Sequence, residues 1–248
     1  MMKSVPHLRQ ALLLALPLAF GIAGCANRST GDAPPRRELA TIKADQASLK
    51  PSEALDLLRA GNERFVSGKP ARRDVLHDQK IMTAGQYPHS IVLSCMDSRV
   101  PAELVFDAGL GDIFSARVAG NIVNPDMLGS LEYACAAVGA KLVFVMGHTH
   151  CGAVKGAVDG VKLENLTGLL EKISPAVKAA RNVPGEHTSK NSEFVEAVGE
   201  DNVRLAIDQI RSQSKTLRDL ESSGKILIAG GVYDIDTGRV HFLTTTNP

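Results

Sequence analysis

The sequence has almost no excess of charge of either sign. Its lysines and arginines number 28 and its aspartates and glutamates 27, so the formal net charge is +1 over 248 residues. A protein that attracts nucleic acid or another polyanion through its overall charge carries a clear basic excess. The charge balance therefore gives no support to a nucleic-acid partner, and we expect none.

Cysteine is also scarce. The four cysteines of the chain are too few for a fold stapled by disulfides at this length. Hydrophobic residues make up 44% of the chain and charged residues 22%, which is ordinary for a globular protein of one domain or two small ones. Each cysteine therefore needs its own explanation.

The apolar run near the N-terminus is too short for a transmembrane helix. Lys3 and Arg9 precede residues 11–20, which carry no charge, whereas a spanning helix needs about 20 apolar residues. A basic start, a short apolar run and small residues after it are the layout of a cleaved secretory signal. The sequence therefore predicts export.

The end of this signal, Ile22-Ala23-Gly24-Cys25, is similar to a bacterial lipobox. We expect residues 1–24 to be a lipoprotein signal peptide and Cys25 to carry a lipid that anchors the chain to a bacterial membrane, on the periplasmic side if the host has two membranes. An ordinary cleaved signal with an incidental cysteine remains open. Residues 25–50 are rich in Ser, Thr, Pro, Arg and Ala and predict a flexible tether. The folded domain is then expected to span residues 51–248.

Three short runs of β-branched and apolar residues predict buried strands, at residues 89–94, 141–146 and 225–229. Helical patterns lie between them at residues 127–138 and 202–220. Strands that alternate with helices predict an α/β fold, a central mainly parallel β-sheet flanked by helices. In such sheets ligands bind just beyond the carboxyl ends of the strands.

Metal-ligating side chains follow two of these strands. Cys95 comes directly after the first strand, and His148 and Cys151 come directly after the second. Two thiolates and one imidazole make three protein ligands. A catalytic zinc typically has three protein ligands, and its fourth position stays open to water. We therefore predict one Zn²⁺ per chain, bound by Cys95, His148 and Cys151. Unrelated side chains at strand ends, or a closed structural zinc site with a fourth protein ligand, remain alternatives.

The two segments around these residues carry a resemblance to a known family. The first reads C-x-D-S-R over residues 95–99 and the second reads G-H-T-x-C-G over residues 147–152, and together they resemble the motif pair of the β-class carbonic anhydrases. Residues 61–65, 117–121, 129–134 and 231–235 are also similar to segments of that family. The resemblance covers about residues 50–245 and implies a zinc enzyme that interconverts carbon dioxide and bicarbonate.

The resemblance also implies roles for Asp97 and Arg99. In the family this pair forms a carboxylate–guanidinium bridge beside the metal, and we expect Asp97 to accept the hydrogen bond of a zinc-bound hydroxide and so to orient it. The family also has a resting form in which this aspartate occupies the fourth zinc position. The sequence leaves open which form this chain prefers.

Further residues match the substrate pocket of the plant-like branch of the family: Gln86, Phe114, Ala119 and Tyr133, with Gly152 of the second motif added to the predicted substrate-binding set. Several of these residues come across a subunit boundary in the family, which implies a homodimer or homotetramer. For Phe114 and Tyr133 a plain core role remains open. His150 is either a proton shuttle or merely a neighbour of the ligands, and Cys135 is expected to be a small buried hydrophobe.

Two other functions remain open on the same residues. A hydrolase of carbon disulfide or carbonyl sulfide would use the same zinc chemistry on the same scaffold, and fold alone does not separate it from a carbonic anhydrase. A noncatalytic lipoprotein module would use the zinc only for stability, but such a site has no need for an oriented carboxylate beside the ligands.

Overall fold

The computed structural model describes residues 34–244. In this range the helices are α1 Leu39–Ser48, α2 Pro51–Val66, α3 Val75–Ile81, α4 Ala102–Val105, α5 Pro125–Glu132, α6 Gly152–Val158, α7 Glu164–Glu171, α8 Ser174–Ala179, α9 Ser192–Gln213 and α10 Lys215–Ser222. The strands of the same range are β1 Ser90–Ser94, β2 Ile113–Arg117, β3 Leu142–His148, β4 Leu227–Tyr233 and β5 Val240–Phe242. A π-helical turn, Tyr133–Val138, continues α5.

The strands form one sheet in the order β2-β1-β3-β4-β5. The first four are parallel to one another, and β5 pairs antiparallel with β4. The predicted fold class, a mainly parallel sheet flanked by helices, is therefore confirmed. The sequence did not predict β2 and β5, which lie at the two edges of the sheet.

Helices cover both faces of the sheet. Neighbouring residues of each central strand point to opposite sides, and the apolar side chains on each side pack against helices. Val143 and Val145 of β3 pack with α5, α9 and α10 on one face. Phe144 and Met146 pack with α2 and α4 on the other. Every residue of β1 and β3 is buried as a result, which is why both strands are readable in the sequence as continuous apolar runs.

The helical pattern predicted at residues 202–220 is two helices. α9 begins after Asn191, whose side chain accepts the backbone N–H of Phe194, and it ends before Ser214. The Ser214 hydroxyl accepts the backbone N–H of Leu217, so this residue caps the start of α10. A serine in the cap position satisfies a donor that the first helical turn leaves free, and the break in the pattern follows from it.

The N-terminal segment differs from the predicted tether. Residues 34–50 contain α1, and the Gln46 side chain donates hydrogen bonds to the backbone carbonyls of Pro88 at 2.8 Å and Val138 at 3.2 Å. Ahead of the helix, the Arg37 guanidinium pairs with the carboxylates of Asp78 and Asp112. These contacts are polar, so the sequence of this segment has no apolar periodicity from which the helix and its packing could be predicted. The folded unit therefore begins before residue 51.

Residues 1–33 and 245–248 lie outside the described range, and with them the predicted signal peptide and Cys25. Among the described residues no helix is both long and apolar enough to cross a membrane.

Candidate metal centre

The parallel register of the sheet brings the predicted ligands to one edge. β1 ends at Ser94 next to Met146 of β3, so Cys95 leaves β1 at the edge where His148 ends β3. Cys151 precedes the first residue of α6. The ligand atoms of Cys95, His148 and Cys151 all lie within 4.8 Å of one another, and the three residues are 3–4% exposed. The structure therefore assembles the three side chains into one buried cluster.

The ring of His148 is oriented for metal binding. Its Nδ1 atom lies 2.9 Å from the backbone carbonyl oxygen of Thr149, and because that oxygen only accepts, Nδ1 must donate its proton there. The lone pair of the neutral ring is then on Nε2, which is buried and has no hydrogen-bond partner among the described residues. A buried nitrogen without a partner costs free energy. A zinc ion would satisfy it, and a hydrogen bond on the other ring nitrogen is the usual support of such a ligand.

The two thiols are coupled. A hydrogen bond from Cys151 is the largest cause that lowers the pKa of the Cys95 thiol, and the backbone N–H of Gly120 lowers it further. The shared hydrogen bond with Cys95, together with burial, raises the pKa of Cys151. The protein alone thus favours one thiolate and one thiol. A divalent cation favours both thiolates, so the donor set fits zinc.

Gly120 supports the cluster through its backbone. Its N–H donates to the Cys95 sulfur at 3.3 Å, and its carbonyl accepts from the Asn202 side chain at 2.8 Å. The residue has φ +68, and a β-carbon there would lie 2.6 Å from Cδ1 of Ile173. Only glycine fits this conformation without strain.

Arg99 holds the Asp97 carboxylate beside the ligands. The Arg99 backbone N–H and Nε donate to Oδ1 at 3.0 and 2.9 Å, and Nη2 donates to Oδ2 at 2.8 Å. These hydrogen bonds keep the pKa of Asp97 well below its usual range. Oδ2 of Asp97 lies 4.0 Å from Nε2 of His148. The carboxylate is therefore ionised and faces the space that a metal would share.

Sequence reasoning assigned no role to Arg117, the last residue of β2. Its Nε donates to the backbone carbonyl of Cys95 at 3.1 Å, and its Nη2 donates to the backbone carbonyl of Asp97 at 2.6 Å. The signal in the sequence was the R-x-A-G-N segment that Arg117 opens, but its partners follow only from the pairing of β1 with β2.

Known proteins share this sequence and fold. A family model described as carbonic anhydrase matches residues 90–240. Carbonic anhydrase 2 of Mycobacterium tuberculosis is 34% identical over 195 residues, which cover 76% of this chain and 91% of that protein. A carbonic anhydrase of Mycolicibacterium smegmatis is 33% identical over 196 residues, covering 77% of this chain and 92% of that protein.

Solved structures agree in fold. A structure from work on two tetrameric β-carbonic anhydrases of the filamentous ascomycete Sordaria macrospora matches with a TM-score of 0.61 at 23% identity, covering 78% of this chain and 96% of that one. The chain belongs to the β-class carbonic anhydrases. A Coccomyxa β-carbonic anhydrase in complex with acetazolamide matches equally well in fold, with a TM-score of 0.61 at 22% identity over 79% of this chain and 87% of that one.

The residues that resemble the substrate pocket of other β-carbonic anhydrases fall into two groups. Ala119 lies next to Gly120, and Gly152 directly follows Cys151, so both are close to the ligands. Phe114 lies three residues before the end of β2, opposite Ile91, and Gln86 is an exposed residue ahead of the start of β1. Within one chain the backbone therefore carries Gln86 and Phe114 away from the carboxyl edge.

Phe114 and Tyr133 lie together on an open groove along β2, with 6.3 Å between their ring centroids. Phe114 also packs against the core, whereas Tyr133 is 55% exposed. A plain core role is therefore wrong for Tyr133. Among residues 34–244 no strand pairs with the outer edge of β2, and an exposed tyrosine beside such an edge is a feature of surfaces that meet a partner.

Two further residues lie outside the ligand cluster. His150, with φ +58, places its Nε2 atom 2.9 Å from Oδ2 of Asp236 at the surface. Cys135 is buried on the face of the sheet that α5, α9 and α10 cover, as expected, and burial raises the pKa of its thiol to about 12. Such a thiol is inert.

Proposed function

We propose that this chain catalyses the reversible hydration of carbon dioxide to bicarbonate and a proton, with one Zn²⁺ held by Cys95, His148 and Cys151. The observation that carries the proposal is the buried Nε2 atom of His148, unpaired among the described residues and within 4.8 Å of two cysteine sulfurs. Zinc bound there would act as a Lewis acid and lower the pKa of a water molecule toward neutrality.

Asp97 would orient the attacking water. Because its carboxylate is ionised, it accepts hydrogen bonds and donates none. The three donors of Arg99 fix the plane of that carboxylate. A water molecule that donates a hydrogen bond to Asp97 would therefore have its lone pair held in a fixed direction. A fixed direction toward the carbon of carbon dioxide lowers the entropic part of the barrier.

We propose a homodimer or homotetramer in which the groove of Phe114 and Tyr133 completes the partner's pocket. The two side chains lie on an exposed edge strand rather than at their own carboxyl edge, and the Sordaria relatives are described as tetrameric. Gln86 would serve the same pocket. Such an arrangement brings an apolar wall and an amide donor to a substrate that is apolar and a product that is an anion.

We also propose that the chain is exported and lipidated at Cys25. Support comes from the basic start, the short apolar run and the small residues before that cysteine. Metabolic labelling with palmitate in a bacterial host tests it: label on the wild type and on Cys135→Ala but not on Cys25→Ser supports lipidation, and no label on the wild type contradicts it.

The activity is tested with a pair of aspartate variants. Asp97→Asn keeps the size of the side chain but loses the charge, and Asp208→Asn changes an exposed aspartate of α9 as the control. Asp97→Asn is expected to keep its zinc and to lose about 10²-fold in kcat, while Asp208→Asn matches the wild type. Equal turnover of the two variants would contradict the proposed role.

The sulfur gases distinguish the rival enzyme. Wild-type protein is given carbon dioxide, carbonyl sulfide and carbon disulfide in parallel, and the kcat/KM values are compared. We expect carbon dioxide to be the best substrate. A higher kcat/KM for either sulfur gas would instead identify a hydrolase on the same scaffold.

A further inference from the structure

Two arginines hold Asp97 from different sides. Arg99 binds its carboxylate, while Arg117 binds its backbone carbonyl through Nη2 at 2.6 Å and that of Cys95 through Nε at 3.1 Å. A planar guanidinium with two engaged donors fixes two acceptors relative to each other, which a lysine does not do. The turn from Cys95 to Asp97 is therefore bound at both ends by the Arg117 side chain.

Arg117 contacts the turn from a different strand. Arg117 ends β2 and pairs in register with Ser94, which ends β1. The next residue, Val118, still donates to the Ser94 carbonyl at 3.1 Å. The guanidinium thus reaches the turn from the neighbouring edge strand, on which Arg117 is exposed, whereas Arg99 belongs to the turn itself and moves with it.

The distance between Asp97 and His148 shows what the hold controls. Two ligands of one tetrahedral zinc lie about 3.4 Å apart when both bonds are near 2.1 Å. Oδ2 of Asp97 is 4.0 Å from Nε2 of His148, which is inside the 4.8 Å within which the three ligand atoms themselves lie, so the carboxylate is close enough to compete for a place on a metal bound there. A small shift of the turn would decide whether Asp97 enters the coordination sphere.

We propose that Arg117 is a positioning residue that keeps Asp97 outside the coordination sphere of the metal and paired with Arg99. Without the two donors of Arg117 the turn is free to relax, and Asp97 moves onto the metal as a fourth ligand. The fourth position is then closed to other ligands. The inference rests on the proposed function only for its kinetic consequence, because ligation by Asp97 is measurable without turnover.

The test uses full-length chains in which cobalt(II) replaces zinc. The variants are Arg117→Ala, Arg117→Gln, Asp97→Asn and the double variant Asp97→Asn with Arg117→Ala. The matched control is Arg218→Ala: Arg218 of α10 is exposed and also donates from its guanidinium to two backbone carbonyls, those of Arg211 and Ser212 at 2.8 and 3.4 Å. Azide is titrated at fixed pH and followed by the visible spectrum of the cobalt.

We expect azide to bind about tenfold more weakly to Arg117→Ala and Arg117→Gln than to the wild type or Arg218→Ala, because Asp97 competes for the fourth position. In the absence of Asp97 the effect should vanish, so the double variant should bind azide as Asp97→Asn does. At pH 7 the two Arg117 variants should also lose about tenfold in kcat with little change in KM.

Wild-type azide affinity in either metal-loaded Arg117 variant would overturn the proposal, and so would a tenfold loss that persists in the double variant. If neither Arg117 variant folds, by circular dichroism, then Arg117 serves the fold and the proposal is likewise overturned. Absence of carbon dioxide turnover in the wild type would instead remove the proposed function while leaving the azide comparison to decide the role of Arg117.

Discussion

The Nε2 atom of His148, which lacks a hydrogen-bond partner in residues 34–244, lies 4.0 Å from Oδ2 of Asp97. The histidine ends β3 and the aspartate lies in the turn after β1, so the sheet alone brings a metal ligand and an ionised carboxylate to one point. Because the two groups come from different segments, metal binding and carboxylate orientation can be perturbed separately.

Removing a ligand should remove the metal. Cys95→Ser and His148→Ala should each lower zinc affinity by more than about 100-fold, since even a residue that only supports a ligand contributes 10- to 100-fold. Zinc content after dialysis against a weak chelator measures the effect. Cys135→Ala is the control, because that thiol is buried elsewhere; zinc loss from it as large as from Cys95→Ser would contradict the ligand set.

A methyl group at Gly120 should weaken the metal site. The new β-carbon would meet Ile173 at 2.6 Å and Ala153 at 3.2 Å in a backbone conformation with φ +68. The N–H that supports the Cys95 sulfur would have to move, so Gly120→Ala should lose about tenfold or more in zinc affinity. The measurement is competition with a coloured chelator.

The control for that change is Gly168→Ala. Gly168 lies within α7 and has open space where a β-carbon would go. We expect unchanged zinc affinity and a gain of about 0.5–1 kcal/mol in the free energy of unfolding. Equal zinc affinity of the two alanine variants would show that the Gly120 N–H does not support the site.

The ionised carboxylate of Asp107 should stabilise the fold, and this contribution to the free energy of unfolding should be lost at acidic pH. Its carboxylate accepts from Arg64, from Arg73 at 2.6 Å and from the Ala71 N–H at 3.0 Å. Burial raises the pKa of Asp107, but the hydrogen bonds from Arg73 and Arg64 outweigh it and lower that pKa to about 2. A lowered pKa stabilises the fold fully above the unfolded value of about 3.9, and the contribution disappears as pH falls through the folded value.

Asp107→Asn should therefore destabilise the protein by about 3 kcal/mol at pH 7, and the deficit should shrink between about pH 4 and pH 2. Urea unfolding across that range measures it, with Asp56→Asn, an exposed position of α2, as the control. A deficit that stays constant down to pH 2 would show that the charge of Asp107 is not what stabilises the fold.

Co-expression of two inactive chains should restore activity if pockets are completed across the interface. Cys95→Ser lacks the metal but keeps the groove of Phe114 and Tyr133, and a chain with both aromatics changed to alanine keeps the metal but lacks the groove. A mixed dimer has one intact site of two, so random pairing should give about a quarter of wild-type activity. Activity no higher than that of the separate variants would place the aromatics outside the pocket.

The sequence predicts the centre of this molecule better than its edges. β1 and β3 are buried on both faces and so appear as continuous apolar runs, and the ligands follow directly at their ends. β2 is five residues long and half exposed, and β5 has three residues, so neither leaves a comparable pattern. α1 is held by hydrogen bonds of the polar Gln46 side chain. The composition of this segment is polar and does not distinguish the helix from a loop.

The parts of the site that depend on packing across strands are also invisible in the sequence. The Asp97–Arg99 pair is local, two residues apart, and the resemblance alone implied it. Arg117 reaches Cys95 and Asp97 only because β2 pairs with β1, and that pairing is a property of the folded sheet.

The most direct test of the central claim is a joint measurement of bound zinc and carbon dioxide hydration on purified wild-type chain, by stopped flow from about pH 6 to pH 9. The account predicts close to one zinc per chain and turnover that rises with pH as the nucleophile ionises. Zinc at that level without turnover of carbon dioxide at any of these pH values would contradict it.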